Sequence, residues 1–527
     1  MQYAFQKRYY LFSLIAGASL VLSLAPFNIF PVAYLAPAIL FYLLLLSNRR
    51  AQAVKLGWAF GVGLFGTGAS WVFQSMHGFA EAPLLLAAFL TFLFVLGLAL
   101  QIALFGLIAS FFGKALTIVR LLLIYPAAWV FVEWCRGWLF TGFPWLYLGH
   151  SQIDTWFAHY APIGGSLLVS WITAVVAGAI VTVFTAQQAE RFQQVNLPAA
   201  NYVRVAEPLA HWNRGIAFVL AALLTGGAWY LSTKDWVKPT GEKLKVSLIQ
   251  ANIAQDQKWL PEQRVPSVEL YMKLTRENWD SDLIIWPETA IPGRFPDFND
   301  FVLAPMYQEA LENKSNLVVG GFHETESGQF KNSTIVLGDD VDEVDLYSKR
   351  HLVPLGEYIP LLKYFRWLSK WMNIPYDNLS SGDEDGLLNI GKHRAQMSIC
   401  YEDAFGEEMI NDLPEADYLI NVTNDGWFSG SLEPHQHMQI ARFRALEAGR
   451  YLLRATNTGI SGIVNQRGQI LRTMPAYEQG VVTGEMMVLS GTTPYVKYGN
   501  YLVVTSSFLL LLLSSVFVFI RRDKQLP

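Results

Sequence analysis

The chain has 527 residues, of which 52% are hydrophobic and 16% are charged, and its formal net charge is -4. Soluble proteins carry about 25% charged residues, so this composition predicts a membrane protein. The mild negative charge, with no sustained basic stripe outside the membrane flanks, excludes nucleic acid as an expected partner. The only two cysteines, Cys135 and Cys400, exclude a disulfide scaffold and a thiolate zinc cluster.

Uncharged apolar runs crowd the first 232 residues and return near the carboxyl terminus. A run of about 20 residues is long enough to cross a bilayer as a helix. The first run resembles a signal peptide, but a second follows after one turn at 28–31, which favours an uncleaved helix. We predict about eight transmembrane helices, at 9–27, 33–46, 56–76, 84–112, 116–134, 164–186, 215–231 and 498–520.

Basic residues near the ends of these runs fall on one side of an eight-span path, whereas the turns at 28–31 and 77–83 carry none. Lys and Arg near helix ends are retained on the cytoplasmic side. We therefore predict cytoplasmic termini, a membrane domain at 1–232, an extracytoplasmic domain at 243–490, a last helix at 498–520 and a tail at 521–527. The basic residues are Lys7, Arg8, Arg49, Arg50, Lys55, Lys114, Arg191, Arg204, Arg214, Arg521, Arg522 and Lys524.

The segment 243–490 has the pattern of an α/β domain. Its helices are fewer in the middle than a doubly wound sheet requires, which favours two sheets packed between helical layers. Helices are predicted at 261–280 and 436–450. Strands are predicted at 245–250, 283–286, 317–322, 333–337, 396–400, 418–422 and 459–464.

Three polar residues stand at the ends of apolar strands in this domain. Glu288 comes after the strand at 283–286 and after Pro287. Lys349 comes directly after the apolar run at 346–348, and Cys400 is the last residue of the strand at 396–400. A carboxylate, an ammonium and a thiol brought together form a nucleophilic site, in which the base takes the thiol proton and the cation stabilises thiolate and oxyanion. Taken alone, each residue favours a simpler interpretation: Glu288 as a surface carboxylate and Cys400 as a small buried hydrophobe.

Three motifs extend this reading. The runs 286–289 (Trp-Pro-Glu-Thr), 347–358 (beginning Tyr-Ser-Lys) and 400–402 (Cys-Tyr-Glu) resemble the Glu-Lys-Cys signature of the nitrilase, or carbon-nitrogen hydrolase, superfamily. With the multi-span region and Asn-Asp-Gly-Trp-Phe at 424–428, the chain resembles bacterial apolipoprotein N-acyltransferases, the membrane branch of that superfamily. The resemblance implies an α-β-β-α sandwich on the periplasmic side of the bacterial inner membrane.

The resemblance also implies roles for individual residues. Glu288 would be the general base, Lys349 the oxyanion stabiliser and Cys400 the nucleophile. Accessory roles would fall to Glu357, Glu402 and Tyr401. The two accessory glutamates would orient Lys349 and the turn around the thiol, unless they are structural ion-pair partners.

The implied reaction is acyl transfer in two halves. Cys400 would attack the sn-1 ester of phosphatidylethanolamine to give a thioester, and the α-amine of the N-terminal diacylglyceryl-cysteine of an apolipoprotein would then take the acyl group. A thioester holds the acyl group while one lipid leaves and another arrives. No metal or diffusible cofactor is required. The membrane base restricts the faces available for oligomerisation, which favours a monomer.

Candidate substrate-binding residues are aromatic or cationic. Trp427 and Phe428 lie in a Gly-flanked loop, and Trp259 stands where the family has a tryptophan near the acyl pocket; a hydrophobic plug is the alternative. Arg136 and Trp145 could hold a phosphate and line a lipid entrance. An internal ion pair of Arg136 with Glu133 and an interfacial aromatic belt are the alternatives.

A metal site at His435 and His437 is rejected, because the two are only two residues apart and no acidic ligand cluster accompanies them in the sequence. Two other functions are weighed. A membrane-anchored amidase or nitrilase would need only one span, and the third span carries Gly57 and Gly61 at close-packing spacing. A transporter would require ionisable or broken-helix elements near the midplane, and these spans are poor in charge.

Overall fold

The computed structural model describes residues 7–194, 210–338, 345–354, 356–358, 379–383 and 385–523. The chain divides into two compact units. The membrane unit comprises Met1–Ser70, Phe89–Lys234 and Asn500–Pro527, and the α/β unit comprises Trp71–Ala88 and Asp235–Gly499. Arg204, Lys524 and part of the predicted tail lie outside the described residues. The predicted domain boundaries stay predictions.

The apolar part of the chain forms helices, because in lipid the backbone polar groups must be satisfied within the segment. The residues between 117 and 136 form one run of helical turns that ends in Tyr125–Arg136. The longer helices are Arg8–Leu20, Val32–Leu46, Arg50–Gly68, Leu84–Phe111, Tyr125–Arg136, Ala161–Gln194, Ala210–Ser232 and Tyr501–Asp523.

The predicted number of spans is supported only in part. Within the described residues, 4 helices are long and apolar enough to cross a membrane, or 5 if Arg50–Gly68 and Val72–Phe79 together make one broken span. The apolar helices Arg8–Ser23 and Val32–Leu46 are shorter than a full crossing requires. The predicted helix at 56–76 is wrong in its last third, because Arg50–Gly68 ends at Gly68.

Glycines let the helix Arg50–Gly68 approach its neighbours closely, as their spacing predicted. A Cβ added at Gly57 would lie 2.1 Å from the carbonyl oxygen of Ile102, and one at Gly61 would lie 2.7 Å from the Cα of Ala99. Both neighbours belong to Leu84–Phe111. Backbone atoms cannot move aside as a flexible side chain can, so a methyl group at Gly57 must separate the two helices.

Replacing Gly57 with alanine is therefore expected to destabilise the protein by about 1–3 kcal/mol, the usual cost of overpacking. The measurement is the midpoint of thermal unfolding in detergent micelles. Gly97→Ala is the matched control, because Gly97 lies on Leu84–Phe111 and no described atom comes within 4 Å of the position of its added Cβ. Equal midpoints for the two variants would contradict the close packing at Gly57.

The α/β unit contains two sheets, as predicted. Its described strands are β1 Val237–Gln250, β2 Leu283–Ile285, β3 Asn316–Glu324, β4 Phe330–Leu337, β5 Leu346–Ser348, β6 Leu387–Ile390, β7 His393–Ile399, β8 Tyr418–Thr423, β9 Leu452–Thr456, β10 Ser461–Val464, β11 Ile470–Met474 and β12 Gly480–Gly491. The order is β12-β1-β2-β3-β4-β5 in the first sheet and β11-β10-β9-β8-β7-β6 in the second. In each sheet three neighbouring strands run parallel, β1-β2-β3 and β7-β8-β9.

The sheets pack face to face, with helices on their outer faces. Leu248 and Ile285 of the first sheet share one apolar core with Met397 and Ile420 of the second. The outer face of the first sheet packs against Pro261–Arg276, and that of the second against Glu433–Ala448. The helix Ala304–Asn313 also joins the first outer layer. The α-β-β-α order of layers follows, because each sheet must bury both faces.

Candidate active site

Cys400 occupies the first position after β7 in a strained backbone conformation. Its φ is +56°, in the left-handed region, which costs a non-glycine residue roughly 1–2 kcal/mol. Asn421 Nδ2 donates to the Cys400 carbonyl oxygen at 3.0 Å, and the Ile399 N–H donates to Glu402 at 2.6 Å. These bonds hold the sharp turn that carries the thiol out of the sheet. Cys400 and Cys135 are both free thiols.

Glu288 lies on the turn that follows β2. The turn needs a positive φ of 48° at Thr289, and Lys258 Nζ holds it by donating to the Glu288 carbonyl oxygen at 3.2 Å and to Thr289 Oγ1 at 2.7 Å. Gly320 of β3 lies directly beneath, since a Cβ there would be 2.4 Å from the Pro287 carbonyl oxygen. Lys258 was not predicted as part of the site.

Lys349, the residue after β5, brings its ammonium between two buried carboxylates. Its Nζ lies 2.8 Å from Glu357 Oε1 and 3.7 Å from Glu288 Oε1. The second oxygen of Glu357 accepts from the Val353 N–H at 2.8 Å, which fixes that carboxylate. The structure therefore brings Glu288, Lys349 and Glu357 together, and all three line one cavity with Cys400.

Burial and charge set the protonation states of this group. Burial raises the pKa of Cys400 well above its usual value, and Glu288 raises it further, against the opposing effect of Lys349. Burial also raises the pKa of Glu288, although Lys349 opposes that rise. Burial alone would lower the pKa of Lys349, but Glu357, Cys400 and Glu288 outweigh it and hold the pKa well above its usual value. The resting thiol is thus protonated and needs a base.

Asn332 of β4 connects the two carboxylates and was not predicted. Its Nδ2 donates to Glu288 Oε1 at 2.7 Å and to Glu357 Oε1 at 3.4 Å. Its backbone carbonyl oxygen accepts from the backbone N–H of Lys349 at 2.8 Å. A buried asparagine in the middle of a strand was the signal available in the sequence, but nothing in the sequence indicates which partners it meets.

Replacing Asn332 with leucine is expected to move the acid limb of the kcat/KM profile to higher pH. The Asn332 bond favours the charged form of Glu288 and lowers its pKa. Without that bond the pKa rises, and a base that works deprotonated is then lost at a higher pH. The measurement is the pH dependence of the acyl transfer that the sequence predicts. Asn389→Leu, at an exposed position on β6, is the control, and an unmoved acid limb would contradict the role of Asn332.

Glu402 and Tyr401 support the turn and do not line the cavity. Glu402 is fully buried and accepts four hydrogen bonds through its two oxygens. The donors are Tyr347 OH at 2.8 Å, Ile399 N at 2.6 Å, Arg350 N at 2.7 Å and His351 N at 3.0 Å. Tyr401 packs edge to face against Phe405 and His351. Glu402 thus ties the end of β5 to the end of β7.

Trp259, Trp427 and Phe428 line the cavity as aromatic walls. Trp427 packs against Phe79 with ring centroids 5.9 Å apart, and Phe428 packs against Trp71 at 4.8 Å. Ser75 and Ala80, from the same 71–80 segment, also line the cavity. This segment was predicted as the end of a membrane span and an adjoining turn, yet it belongs to the α/β unit.

Arg136 and Trp145 lie in the membrane unit, where both are buried. Arg136 Nη2 lies 3.8 Å from Glu133 Oε1 and 3.4 Å from the Leu146 carbonyl oxygen. Its guanidinium lies 5.0 Å from the centroid of the Tyr147 ring. The ion pair with Glu133 considered from the sequence is present. Substrate binding by Arg136 and Trp145 stays a prediction.

His437 lies in a buried acidic cluster, so the reason given for rejecting a metal there was wrong. Its Nε2 is 2.8 Å from Asp403, and its Nδ1 is 3.1 Å from Asp425 and 3.2 Å from Glu433. One atom each of Asp425, Glu433 and His437 lies within 4.8 Å of the others. Arg454 also contacts Asp403 and Asp425 at 3.2 Å, so cations of the protein already neutralise these carboxylates. The absence of a metal site stays a prediction.

Comparisons with known proteins show which family the chain belongs to. The model of the family described as "Apolipoprotein N-acyltransferase N-terminal domain" matches residues 16–179, and that of "Carbon-nitrogen hydrolase" matches residues 245–493. A protein from Methylococcus capsulatus named apolipoprotein N-acyltransferase is 40% identical over 493 residues, covering 93% of this chain and 92% of that protein. The chain belongs to the apolipoprotein N-acyltransferase family.

Further relatives of the same name cover as much of the chain. The Coxiella burnetii apolipoprotein N-acyltransferase is 38% identical and covers 95% of this chain and 99% of that protein. The Vibrio parahaemolyticus apolipoprotein N-acyltransferase is 36% identical and covers 92% of each. Among solved structures, a nitrilase-superfamily protein of Saccharomyces cerevisiae covers 48% of this chain and 92% of that chain, at 18% identity and a TM-score of 0.36.

Proposed function

We propose that this chain moves a fatty acyl group from a phospholipid, through a thioester on Cys400, to the α-amine of the N-terminal diacylglyceryl-cysteine of an apolipoprotein. The observation that carries the proposal is the single cavity onto which Cys400, Glu288 and Lys349 open between aromatic walls. Membership of the apolipoprotein N-acyltransferase family supports it. The donor is phosphatidylethanolamine in this proposal, and the chain acts as a monomer.

The first half-reaction transfers the acyl group to the enzyme. Glu288 takes the proton from Cys400 Sγ, and the thiolate attacks the sn-1 ester carbonyl carbon. The ammonium of Lys349 stabilises the oxyanion of the tetrahedral intermediate. When this intermediate collapses, the ester C–O bond breaks and Glu288 returns the proton to the glycerol oxygen. A lysophospholipid leaves, and the acyl group remains as a thioester on Cys400.

The second half-reaction releases the acyl group to the acceptor. The free α-amine attacks the thioester carbonyl carbon, Glu288 takes a proton from the attacking nitrogen, and Lys349 again faces the oxyanion. The C–S bond then breaks, the Cys400 sulfur regains its proton, and an amide remains on the acceptor. Glu357 holds Lys349 in place during both halves, and Glu402 and Tyr401 hold the turn that carries Cys400.

The setting proposed for this reaction is the periplasmic face of the bacterial inner membrane, with both termini cytoplasmic and 243–490 outside. Because both proposed substrates are lipids, the membrane unit does more than anchor the enzyme. Trp259, Trp427 and Phe428 contact the acyl chain, because they line the cavity beside the thiol. Arg136 and Trp145 contact lipid in the membrane unit.

Intact mass spectrometry tests the proposal most directly. Purified protein is incubated with phosphatidylethanolamine, and the wild type is compared with Cys400→Ala. We expect the wild type alone to gain the mass of one fatty acyl group, and hydroxylamine to remove it. If the folded wild type gains no acyl group while it releases free fatty acid or cleaves a small amide, a membrane-anchored hydrolase replaces the transferase.

A further inference from the structure

Three buried side-chain amides form a chain of hydrogen bonds that ends at the catalytic cavity. Asn457 Nδ2 donates to Asn424 Oδ1 at 3.4 Å, and Asn424 Nδ2 donates to Gln255 Oε1 at 2.6 Å. These residues follow β9, β8 and β1, whose carboxyl ends meet at one edge of the sandwich. Gln255 and Asn424 line the same cavity as Cys400.

Hydrogen bonds to the backbone fix which atom of each amide is the donor and which is the acceptor, beginning at Asn457. Asn457 Nδ2 donates to the Ile253 carbonyl oxygen at 2.8 Å, and Asn457 Oδ1 accepts from the Ile253 N–H at 3.0 Å. Asn424 Oδ1 also accepts from the Gly426 N–H at 3.3 Å. If any of the three side-chain amides were rotated by about 180°, its nitrogen and oxygen would exchange places, and two donors or two acceptors would face each other. Gln255 must therefore use its oxygen toward Asn424 and direct its nitrogen elsewhere.

The Gln255 nitrogen has no hydrogen-bond partner among the residues that the structure describes. Gln255 is 6% exposed, so its N–H groups are largely shielded from bulk water. An unpaired buried donor costs about 1–3 kcal/mol, and the fixed orientation of the amide chain prevents the side chain from avoiding this cost. A site that keeps such a donor beside its cavity is arranged to bind an acceptor atom that arrives with the ligand.

We propose that Gln255 Nε2 donates a hydrogen bond to the carbonyl oxygen of a glyceryl ester of the substrate that is not being cleaved. The chain of three amides is neutral, which suits a neutral carbonyl better than a phosphate. Both lipids of the proposed reaction carry such an ester: the sn-2 ester of the donor phospholipid and the glyceryl esters of the acceptor. This inference deepens the proposed function and rests on it.

Gln255 would then determine which lipids react, by holding the glycerol backbone at a fixed depth beside Cys400. The bond lies outside the reacting ester, so Gln255 is a binding residue and moves no proton. Removing this hydrogen bond is expected to lower the preference of the enzyme for ester over ether lipids. A variant that merely loosened the fold would lower the rates for all lipids alike.

Ether lipids test this hydrogen bond by itself, because they lack the carbonyl oxygen that would accept it. The rate of acyl-enzyme formation is measured by intact mass spectrometry with diester phosphatidylethanolamine and with its 1-acyl-2-O-alkyl analogue, which lacks the sn-2 carbonyl oxygen. Transfer from preformed acyl-enzyme is then measured to synthetic cysteine peptides carrying S-diacylglyceryl or S-dialkylglyceryl groups. The proteins are the full-length wild type, Gln255→Met and Gln255→Glu, of which the last keeps an acceptor for Asn424 but has no N–H.

We expect the wild type to prefer the ester over the ether by roughly 5- to 30-fold, the value of one buried hydrogen bond, in at least one half-reaction. Both Gln255 variants should lose that preference. A preference in the first half-reaction assigns the carbonyl to the donor, one in the second half-reaction assigns it to the acceptor, and preferences in both assign it to both. Because each preference is a ratio within one protein, partial unfolding of a variant cancels.

Gln396→Met is the matched control. Gln396 is also buried and its Oε1 also has no partner among the described residues, but it does not line the cavity, so this variant should keep the preference. An ester preference that survives in the Gln255 variants, or is absent from the wild type, would overturn the inference and leave the proposed function intact. Failure of the wild type to form acyl-enzyme with either lipid would overturn both.

Discussion

Replacing Lys349 with methionine is expected to lower the rate of acyl-enzyme formation by at least ~10²–10³-fold, the usual effect of removing one oxyanion donor. The substitution keeps most of the side-chain volume but removes the ammonium, which lies 2.8 Å from Glu357 and 3.7 Å from Glu288. Without it, the tetrahedral oxyanion loses its cation. Lys349 lowers the pKa of Cys400 against the effect of burial. In the variant that effect is lost, so the thiolate is harder to form.

Lys258→Met shows what the loss of a second buried lysine near Glu288, outside the cavity, does to the reaction. Lys258 is also buried, and burial lowers its pKa to about 7, but it bonds the Glu288–Thr289 turn and does not line the cavity. Single-turnover rates with phosphatidylethanolamine are compared at matched amounts of folded protein. A rate for Lys349→Met within a few-fold of the wild-type rate would contradict the oxyanion role of Lys349.

Replacing Glu402 with alanine is expected to destabilise the α/β unit by about 3–5 kcal/mol, the range measured when one partner of a buried charged network is removed. Four donors lose their acceptor at once, and three of them are backbone N–H groups that cannot turn toward another partner. The end of β5 then separates from the end of β7, and with it Lys349 from Cys400.

Thermal unfolding in detergent measures the effect of the Glu402 substitution. Glu415→Ala is the control, since Glu415 is exposed and lies on the loop before β8, where removal of a carboxylate should change stability little. Because hydrogen bonds to a carboxylate are stronger than those between neutral groups, Glu402→Gln should fall between wild type and alanine. An unfolding midpoint for Glu402→Ala equal to that of Glu415→Ala would refute the proposed support of the turn.

The two-sheet domain and the gathering of Glu288, Lys349 and Cys400 could be predicted because their signals are local. Each residue directly follows a short apolar strand, and each strand can be read from a few consecutive residues. β2 and β5 belong to the first sheet and run in the same direction, and β7 belongs to the second sheet, which packs face to face against the first. The residues that follow these three strands line one cavity. The aromatic cavity walls at 427 and 428 were likewise read from one loop.

Other parts of the site depend on which distant strands become neighbours, and no short run of sequence contains that information. Gln255 meets Asn424 across 169 residues, and His437 meets Asp403 across 34, so neither the amide chain nor the acidic cluster could be predicted. Hydropathy also did not indicate that the helix ends at Gly68 and that a separate helical segment, Val72–Phe79, follows. An aromatic run is equally apolar whether it faces lipid or protein, and here Trp71 packs against Phe428.

That small segment, 71–88, limits how the catalytic domain can be isolated. A fragment cut at 235 and 499 would keep Glu288, Lys349 and Cys400 but would lose Trp71, Phe79, Ser75 and Ala80. Trp427 and Phe428 would then be left facing water, and an exposed aromatic pair of this kind promotes association between molecules. Weak activity or aggregation of such a fragment would therefore reflect the missing cavity wall, even with the three proposed catalytic residues in place. The stretch 235–499 contains the proposed catalytic residues, but the cavity also requires the separate segment 71–88.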